Sequence, residues 1–450
     1  MRPERPRAER LGRVFWLGVA LFSPALPLHA YFAGNWYSIG HSYSLGMFAG
    51  VASYVTFANA LVLSARVPLF DRLFGHDRVM AFHGYLAAAA IVLAFAHVVF
   101  KAVFGLDLGM GHVQAGLAAL ALFAIVAAVT LLLMIESSLH RLRPLAALRA
   151  RLIRRRAFDY TRLKRFHNLT ALALALVTVH VLRAAATAEN RLRLGVMGAW
   201  GTAALAAYAY HKAGRAIRRY RQGFTVADVR PRGPALVEIA IRRPGDAGLP
   251  HRPGQFAYFR FLSPVCGRAE HPFTIASAPG ESSVRIVVKA LGDYTAALAA
   301  LPTGVRALCD GPYGRFTPAR GTGPFLFVAG GIGITPFLSI LSAWDTAGFA
   351  DSVTLVWTAR TRAELFADGF FADLAKRHAT FCYVPVVTRE AGSGTGRIDR
   401  ALLGRLVGRD GPARLSAYIC GPENLRQSAV AHLRALGLPR AAVHFESFNA

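Results

Sequence analysis

The sequence predicts a membrane-embedded all-α bundle of six helices, followed by a soluble β-barrel and a soluble α/β nucleotide-binding domain. Three observations predict it. Long apolar runs fill the first half of the 450 residues. Arginines cluster in the segments that separate those runs. After Arg221 the pattern turns to short strand-like segments, and from Gly321 to apolar strands alternating with helical stretches.

Six apolar stretches read as helices: residues 12–31, 43–64, 82–104, 113–136, 166–186 and 192–211. Each approaches the length needed for a hydrocarbon layer of about 30 Å. The basic clusters are MRPERPRAERLGR, HRLRPLAALRARLIRRRAFDYTRLKR and HKAGRAIRRYRQ. With the N-terminus in the cytoplasm, segments 65–81 and 137–165 and the tail after 211 face the cytoplasm. Segments 32–42, 105–112 and 187–191 carry few basic residues and face out. The expectation is an integral protein of a bacterial plasma membrane, surrounded by lipid, with both termini cytoplasmic. The N-terminus also resembles a signal peptide, with cleavage after Ala30 as the alternative to a retained helix. Cleavage would leave the remaining topology unchanged.

There are 52 basic and 25 acidic residues, a formal net charge of +27. Such a charge fits nucleic acid, but its confinement to loops on one side and the lack of any nucleic-acid motif exclude that class. The four cysteines, Cys266, Cys309, Cys382 and Cys420, all fall in the second half without zinc spacing. That fits a reducing compartment.

Four histidines stand in two apolar segments. His83 and His97 lie fourteen residues apart in AFHGYLAAAAIVLAFAHVVF, and His167 and His180 thirteen apart in RFHNLTALALALVTVHVL. Fourteen helical residues span about 21 Å, so each segment carries one histidine near each membrane face. The two helices run parallel, and the ligands pair by depth. Two neutral imidazoles can hold a haem iron from both sides. One intramembrane histidine is as well explained by an interhelical hydrogen bond; four at matched depth favour two haems. At about 100° per residue His83 and His97 share a face, while His167 and His180 stand roughly 140° apart. The second helix therefore needs a local irregularity, such as a π-bulge, or offers its ligands from two flanks.

In the second half, TVADVRP, ALVEIAIRR and QFAYFRFL read as barrel strands. His271-Pro272-Phe273-Thr274-Ile275-Ala276-Ser277 follows. A proline-fixed turn beside a strand can hold a flat ring, with Thr274 and Ser277 as donors; an ordinary edge strand is the plain alternative. Lys289 could meet a phosphate, and Thr295 stands at an expected helix start, where free amides favour anions. Gly330, Gly331 and Gly333 follow the strand PFLFVA, and Thr335-Pro336 opens a helix. Strand, glycine turn and helix N-terminus suit a dinucleotide pyrophosphate, although the spacing departs from the usual fingerprint. Arg360 and Arg362 follow the next strand and suit a ribose 2′-phosphate, hence NADPH, with NADH the alternative. Cys420-Gly421-Pro422 ends another strand, and would bring a small thiol to the sheet edge.

Together these residues resemble the ferric reductase and NADPH oxidase superfamily. In it a six-helix bis-haem membrane domain is fused to a ferredoxin–NADP reductase-like module. The histidine spacings, HPFTIAS, LGDYT, DGPYGRF, AGGIGITPFLSIL and CGPENL stand in the family order. The resemblance implies a basic tail over 1–11, a transmembrane bis-haem domain over 12–215, an FAD-binding barrel over 222–318 and an NAD(P)-binding domain over 319–450. It implies two b-type haems on His83, His97, His167 and His180. It also implies FAD held by the HPFT motif, Lys289 and Thr295, and a nicotinamide site shaped by Gly311-Pro312, the glycine turn and the CGP motif. An aromatic near the C-terminus, Phe448 or Phe445, is expected to cover the flavin.

Two departures bear on the acceptor. Superoxide-producing relatives often carry a histidine four residues after the outer ligand of the third helix, where this chain has Lys101. They also commonly carry an arginine in the second helix, which GMFAGVASYVTFANALVL lacks. The expected enzyme passes electrons from cytosolic NADPH through FAD and two haems to an extracytoplasmic acceptor, ferric chelate being favoured. The alternatives are a superoxide-producing oxidase and an electron-transfer subunit that feeds an extracytoplasmic protein. Lys101, His41 and His112 are the candidates for the outer mouth.

Overall fold

The computed structural model describes residues 5–33, 41–103, 106–133, 143–154, 160–245, 248–267, 269–319, 321–390 and 396–446. The chain divides into two units, Met1–Ala216 and Ile217–Ala450.

The described residues of the first unit form helices joined by short turns, with no strand among them. Its helices are α1 (Arg5–Phe22), α2 (Ala25–Phe32), α3 (Ser42–Ser64), α4 (Pro68–Phe74), α5 (His76–Val103), α6 (Gly111–Leu133), α7 (Arg143–Arg154), α8 (Tyr160–His167), α9 (Leu169–Arg183), α10 (Ala185–Ala188) and α11 (Arg191–Ala209). A π-helical turn, Tyr210–Gly214, leads into α12 (Arg215–Arg221). Helix α3 is buried along most of its length, with Tyr54, Val55 and Ala58 at its centre. It packs on α5 and α11, and α6 packs on α9. Helix α5 instead exposes a stripe of Tyr85, Val92, Phe95, Val99 and Val103. Spaced three, four or seven residues apart, these side chains form one apolar face.

Five spans among the described residues are long and apolar enough to cross a membrane: Leu11–Phe32, Ser42–Ser64, Arg78–Val103, Gly111–Leu133 and Arg162–Arg183. Six were expected from the sequence. The sixth forms as α11, but Arg193 and the glycines at 195, 198 and 201 dilute its apolar character and it stands outside the five. The first span is broken at Ser23–Pro24, because proline cannot donate to the helical ladder.

The second histidine helix carries an irregularity, and it lies directly after His167 and is a tightened turn, not a π-bulge. Helix α8 ends at His167 and α9 starts at Leu169. Between them the Asn168 amide donates to the carbonyls of Lys164 and Arg165, both at 3.2 Å, and Ala171 donates to the Asn168 carbonyl at 3.1 Å. Bonds to the third residue back tighten the turn, and the added rotation closes part of the mismatch between the two histidines. Lys212, in the π-turn, donates to the Asn168 side chain at 2.9 Å.

The second unit opens with six strands: β1 (Thr225–Gly233), β2 (Leu236–Arg242), β3 (Phe256–Phe261), β4 (His271–Thr274), β5 (Val284–Lys289) and β6 (Ala307–Tyr313). They form two antiparallel sheets, β1-β2-β5 and β4-β3-β6, closing on a core that includes Ile239, Phe259, Phe261 and Ile286. A short helix α13 (Asp293–Ala297) follows β5. A five-stranded parallel sheet comes next: β7 (Phe325–Gly330), β8 (Val353–Ala359), β9 (Phe381–Val387), β10 (Ser416–Cys420) and β11 (Val443–Glu446), in the order β11-β10-β7-β8-β9. Helices α14 (Thr335–Ala347), α15 (Asp368–Arg377), α16 (Arg400–Asp410) and α17 (Glu423–Ala435) belong to the same fold. Every residue of β7 is buried, which is why FLFVAG reads as a continuous apolar run. Phe327 within it, and Phe337 and Trp357 beside it, are fully buried, each contributing about 1.5–3 kcal/mol of transfer free energy.

Candidate functional site

The four histidines meet in two pairs. The His83 and His167 rings lie 6.1 Å apart between centroids, and those of His97 and His180 lie 6.3 Å apart. All four are half-buried. Each ring engages its Nδ1 elsewhere. His83 Nδ1 is 2.8 Å from the Ala60 carbonyl, His97 Nδ1 2.7 Å from that of Gly46, and His180 Nδ1 2.7 Å from that of His112. His167 Nδ1 is 3.1 Å from Thr130 Oγ1, which itself donates to the Val126 carbonyl. A carbonyl partner fixes the proton on Nδ1 and leaves Nε2 as the basic nitrogen. Two glycines give the His97–His180 pair its room. A Cβ at Gly50 would stand 2.7 Å from His97 Nδ1, and one at Gly116 would stand 2.8 Å from His180 Nδ1. Among the described residues, no group of three or more His, Cys, Asp or Glu gathers for a metal ion; these sites are pairs.

Around the second pair, His112 stacks on His180 with centroids 5.8 Å apart. Lys101 is half-buried, its ammonium 4.5 Å above the Tyr43 ring. His41 caps α3 by accepting the Tyr43 amide.

In the barrel, β4 is an edge strand and Pro272 is exposed on it, where a missing N–H costs nothing. The His271 ring stacks on Tyr294 at 3.9 Å, with Phe273 at 6.4 Å. Thr274 is buried, and its Oγ1 has no protein partner. The buried Tyr294 hydroxyl and the Arg260 Nε likewise lack one. Unsatisfied buried polar atoms are rare. Three on and beside the HPFT strand fit a polar cofactor such as FAD.

Three of the residues expected to hold FAD have protein partners in this region. Lys289 pairs with Glu364 at 3.6 Å. Thr295 is the third residue of α13, and its Oγ1 accepts the amides of Leu291 and Gly292, so those donors are used by the turn. Ser277 is buried; its Oγ accepts the Arg285 amide, and its carbonyl accepts Ser339 Oγ at 2.7 Å. Phe448 lies outside the described residues. Phe445 is half-exposed on β11, with the Arg426 guanidinium 4.5 Å over its ring.

The glycine turn and the CGP motif meet at the ends of adjacent strands. Strands β7 and β10 pair in parallel, Ala329 opposite Cys420. A Cβ at Gly333 would stand 2.2 Å from the Cys420 carbonyl, so only glycine lets the two turns touch. Trp357 Nε1 donates to the Gly331 carbonyl at 2.9 Å and pins the turn. Thr335 Oγ1 donates to the Ile332 carbonyl, and Pro336 lies in the first turn of α14. This is the crevice at the carboxyl ends of a parallel sheet, between β7 and β10, where the strand order reverses. Gly311 and Pro312 lie on β6, where a Cβ on Gly311 would meet Ala257 at 2.8 Å. Burial pushes the Cys420 thiol up, with Glu446 beside it. Pro422 caps α17 after Gly421. Arg360 is exposed; Glu364 accepts its amide. Arg362 is held by Asp368 at 3.4 Å, and its amide by Glu390.

Sequence reasoning missed Tyr294, Glu446 and Glu364. The tyrosine lies within LGDYT, a detectable signal. The two glutamates reach the site only through strand register and a loop crossing, which no local pattern marks.

Comparison with known proteins bears on the second unit. Residues 221–317 match the FAD-binding domain family, and residues 327–431 match the oxidoreductase NAD-binding domain family. The reductase component of propane 2-monooxygenase from Rhodococcus jostii is 26% identical over 231 residues, 50% of this chain and 62% of that protein. The chain thus spans less than two thirds of that relative. Ferredoxin–NADP reductase B of Sorangium cellulosum is 29% identical over 236 residues, 49% of this chain and 95% of that protein. Among solved structures, the FAD/NAD-binding domain of a nitric oxide dioxygenase from Vibrio cholerae O1 biovar El Tor matches with a TM-score of 0.45 and 21% identity, covering 51% of this chain and 99% of that one. The second half of the chain is therefore an NAD(P)H-dependent FAD oxidoreductase module, an FAD-binding domain followed by an oxidoreductase NAD-binding domain.

Proposed function

We propose that the chain is a membrane-spanning reductase. It takes electrons from NADPH at the cytoplasmic face and delivers them through FAD and two b-type haems to an acceptor outside, ferric chelate being favoured. The observation that carries the reading is the pair of facing histidine pairs, in one chain with a flavin reductase module. Two metal–nitrogen bonds of about 2 Å, and the distance from each nitrogen to its ring centre, put paired imidazole centroids about 6 Å apart. The centroid separations of 6.1 and 6.3 Å fit an iron between each pair. The engaged Nδ1 atoms fit as well, since a ligating imidazole commonly donates its second N–H.

When bound, FAD splits a hydride into single electrons and haem iron carries them one at a time. The chain's own residues supply position. His83 and His167 would hold the inner haem, and His97 and His180 the outer. His271, Pro272, Phe273 and Thr274 would line the flavin ring. The glycine turn and Cys420-Gly421-Pro422 would shape the nicotinamide site, and the exposed Arg360 would meet the 2′-phosphate. The five apolar spans support a lipid setting, and the basic segments between them support cytoplasmic termini.

At the outer mouth, a cation one turn beyond His97 favours an anionic chelate. The test is anaerobic reduction of the purified chain by NADPH, with haem followed optically. Reoxidation by ferric chelate, oxygen and quinone is then compared. Saturable reoxidation by ferric chelate that weakens in Lys101→Ala is expected. Oxygen turnover far above iron reduction, lost in Lys101→Ala alone, would make the protein an oxidase. Slow reoxidation by every small molecule would favour delivery to a partner protein.

A further inference from the structure

Arg219 is a largely buried arginine near the end of α12, just before the barrel begins. Its Nη1 donates to Glu270 at 3.0 Å, and its Nη2 lies 3.0 Å from Asp310. The three side chains are 12, 9 and 3% exposed. The two carboxylates belong to different edges of one sheet. Glu270 directly precedes β4, the strand of the HPFT motif. Asp310 lies in β6, directly before Gly311-Pro312. Strand β3 runs between them, with Tyr258 opposite both Pro272 and Asp310. Asp310 also accepts the Tyr313 hydroxyl at 3.0 Å.

One guanidinium thus spans the sheet from the flavin-ring strand to the strand that enters the nicotinamide motif. The planar fork of arginine suits this, because it can serve two carboxylates in fixed directions while lysine offers a single point charge. A pair this buried is specific in geometry, and removal of one partner leaves carboxylates in a poorly solvated place.

We infer that Arg219 is a positioning residue of the flavin site. It bonds Glu270 and Asp310 and so holds β4 and β6 at the spacing the flavin requires. The inference rests on the flavin module alone and does not need the haem reading.

The test is FAD affinity of the purified full-length chain, from flavin fluorescence, together with the visible flavin spectrum. In Arg219→Met the FAD dissociation constant rises at least tenfold and the flavin absorption bands shift. Arg219→Lys, which keeps the charge but loses the fork, recovers only part of the affinity, with a rise between those of wild type and Arg219→Met. Glu270→Gln, which keeps the Arg219–Asp310 bond, falls between wild type and Arg219→Met. Unchanged affinity and spectrum in Arg219→Met would overturn the inference. So would equal losses in the lysine and methionine variants, since they would mean a general structural role. If Arg219→Met fails to fold, Glu270→Gln decides: an unchanged FAD constant overturns the inference, and a raised one supports it. A wild-type chain that bound no FAD would instead fail the flavin assignment itself.

Discussion

The two histidine pairs are built differently. In the outer pair both rings bond backbone carbonyls at 2.7 Å, and both press against glycines, Gly50 and Gly116. In the inner pair one ring bonds a carbonyl and the other the Thr130 hydroxyl at 3.1 Å, beside a helix break at Asn168. A carbonyl on a regular helix cannot rotate away, whereas a hydroxyl can. The outer pair is therefore set by backbone and tolerates no added volume. The inner pair is set by a side chain and a deformable turn.

The largest effect should come from the ligands themselves. Under the proposed bis-haem reading, His97→Leu and His180→Leu should each lose one of the two haems. Dye reduction by the flavin module should persist, with haem measured as its pyridine complex. Unchanged haem content in both variants would remove the ligand assignment.

The contrast between the pairs is broken or kept by volume. Gly116→Val should cost the outer haem nearly as completely as His180→Leu, because the imidazole has nowhere to move. Thr130→Val, which keeps shape and removes the hydrogen bond, should weaken inner haem retention by about tenfold. If Thr130→Val is the more damaging of the two, the distinction between a backbone-set and a side-chain-set pair is wrong.

Arg360→Ala sharpens the comparison from outside, since it should leave both haems in place. It should raise the KM for NADPH by about tenfold and that for NADH by less than threefold. Equal use of both nucleotides by the wild type would undo the 2′-phosphate argument.

The smallest effect concerns pH. His444 is exposed on β11 but stacks 4.5 Å from Tyr418, and this partial desolvation, with Arg315 adding to it, holds its imidazole below the usual range. The folded chain then binds that proton less readily than the unfolded chain. Its contribution to stability is complete above about pH 6.5 and declines as the pH falls. His444→Phe should reduce the drop in melting temperature between pH 7 and pH 5.5 by about 1–2 °C. An identical drop would show that His444 does not titrate this way.

Read along the chain, the first half is helical and apolar and the second is a barrel followed by a parallel sheet. Apolar runs, basic loops and strand–turn–helix order follow from local solvation and backbone chemistry, and each can be read a window at a time. The depth of the four histidines was legible because helical rise converts residue number into distance. The glycine turn was legible because its close approach excludes every side chain. What only the tertiary structure decided lies across elements. The break at Asn168 joins a local turn to Lys212, which is 44 residues away. Lys289, marked for phosphate by its charge, also meets Glu364, because a salt bridge depends on which loop arrives opposite. Thr295 turned out to satisfy its own helix start. The Nδ1 partners of the histidines come from other helices, up to 68 residues distant, so no pattern along the chain could name them. Charge, hydropathy and backbone preference are properties of a segment; hydrogen-bond direction and ion pairing belong to two segments at once, and folding alone brings those together.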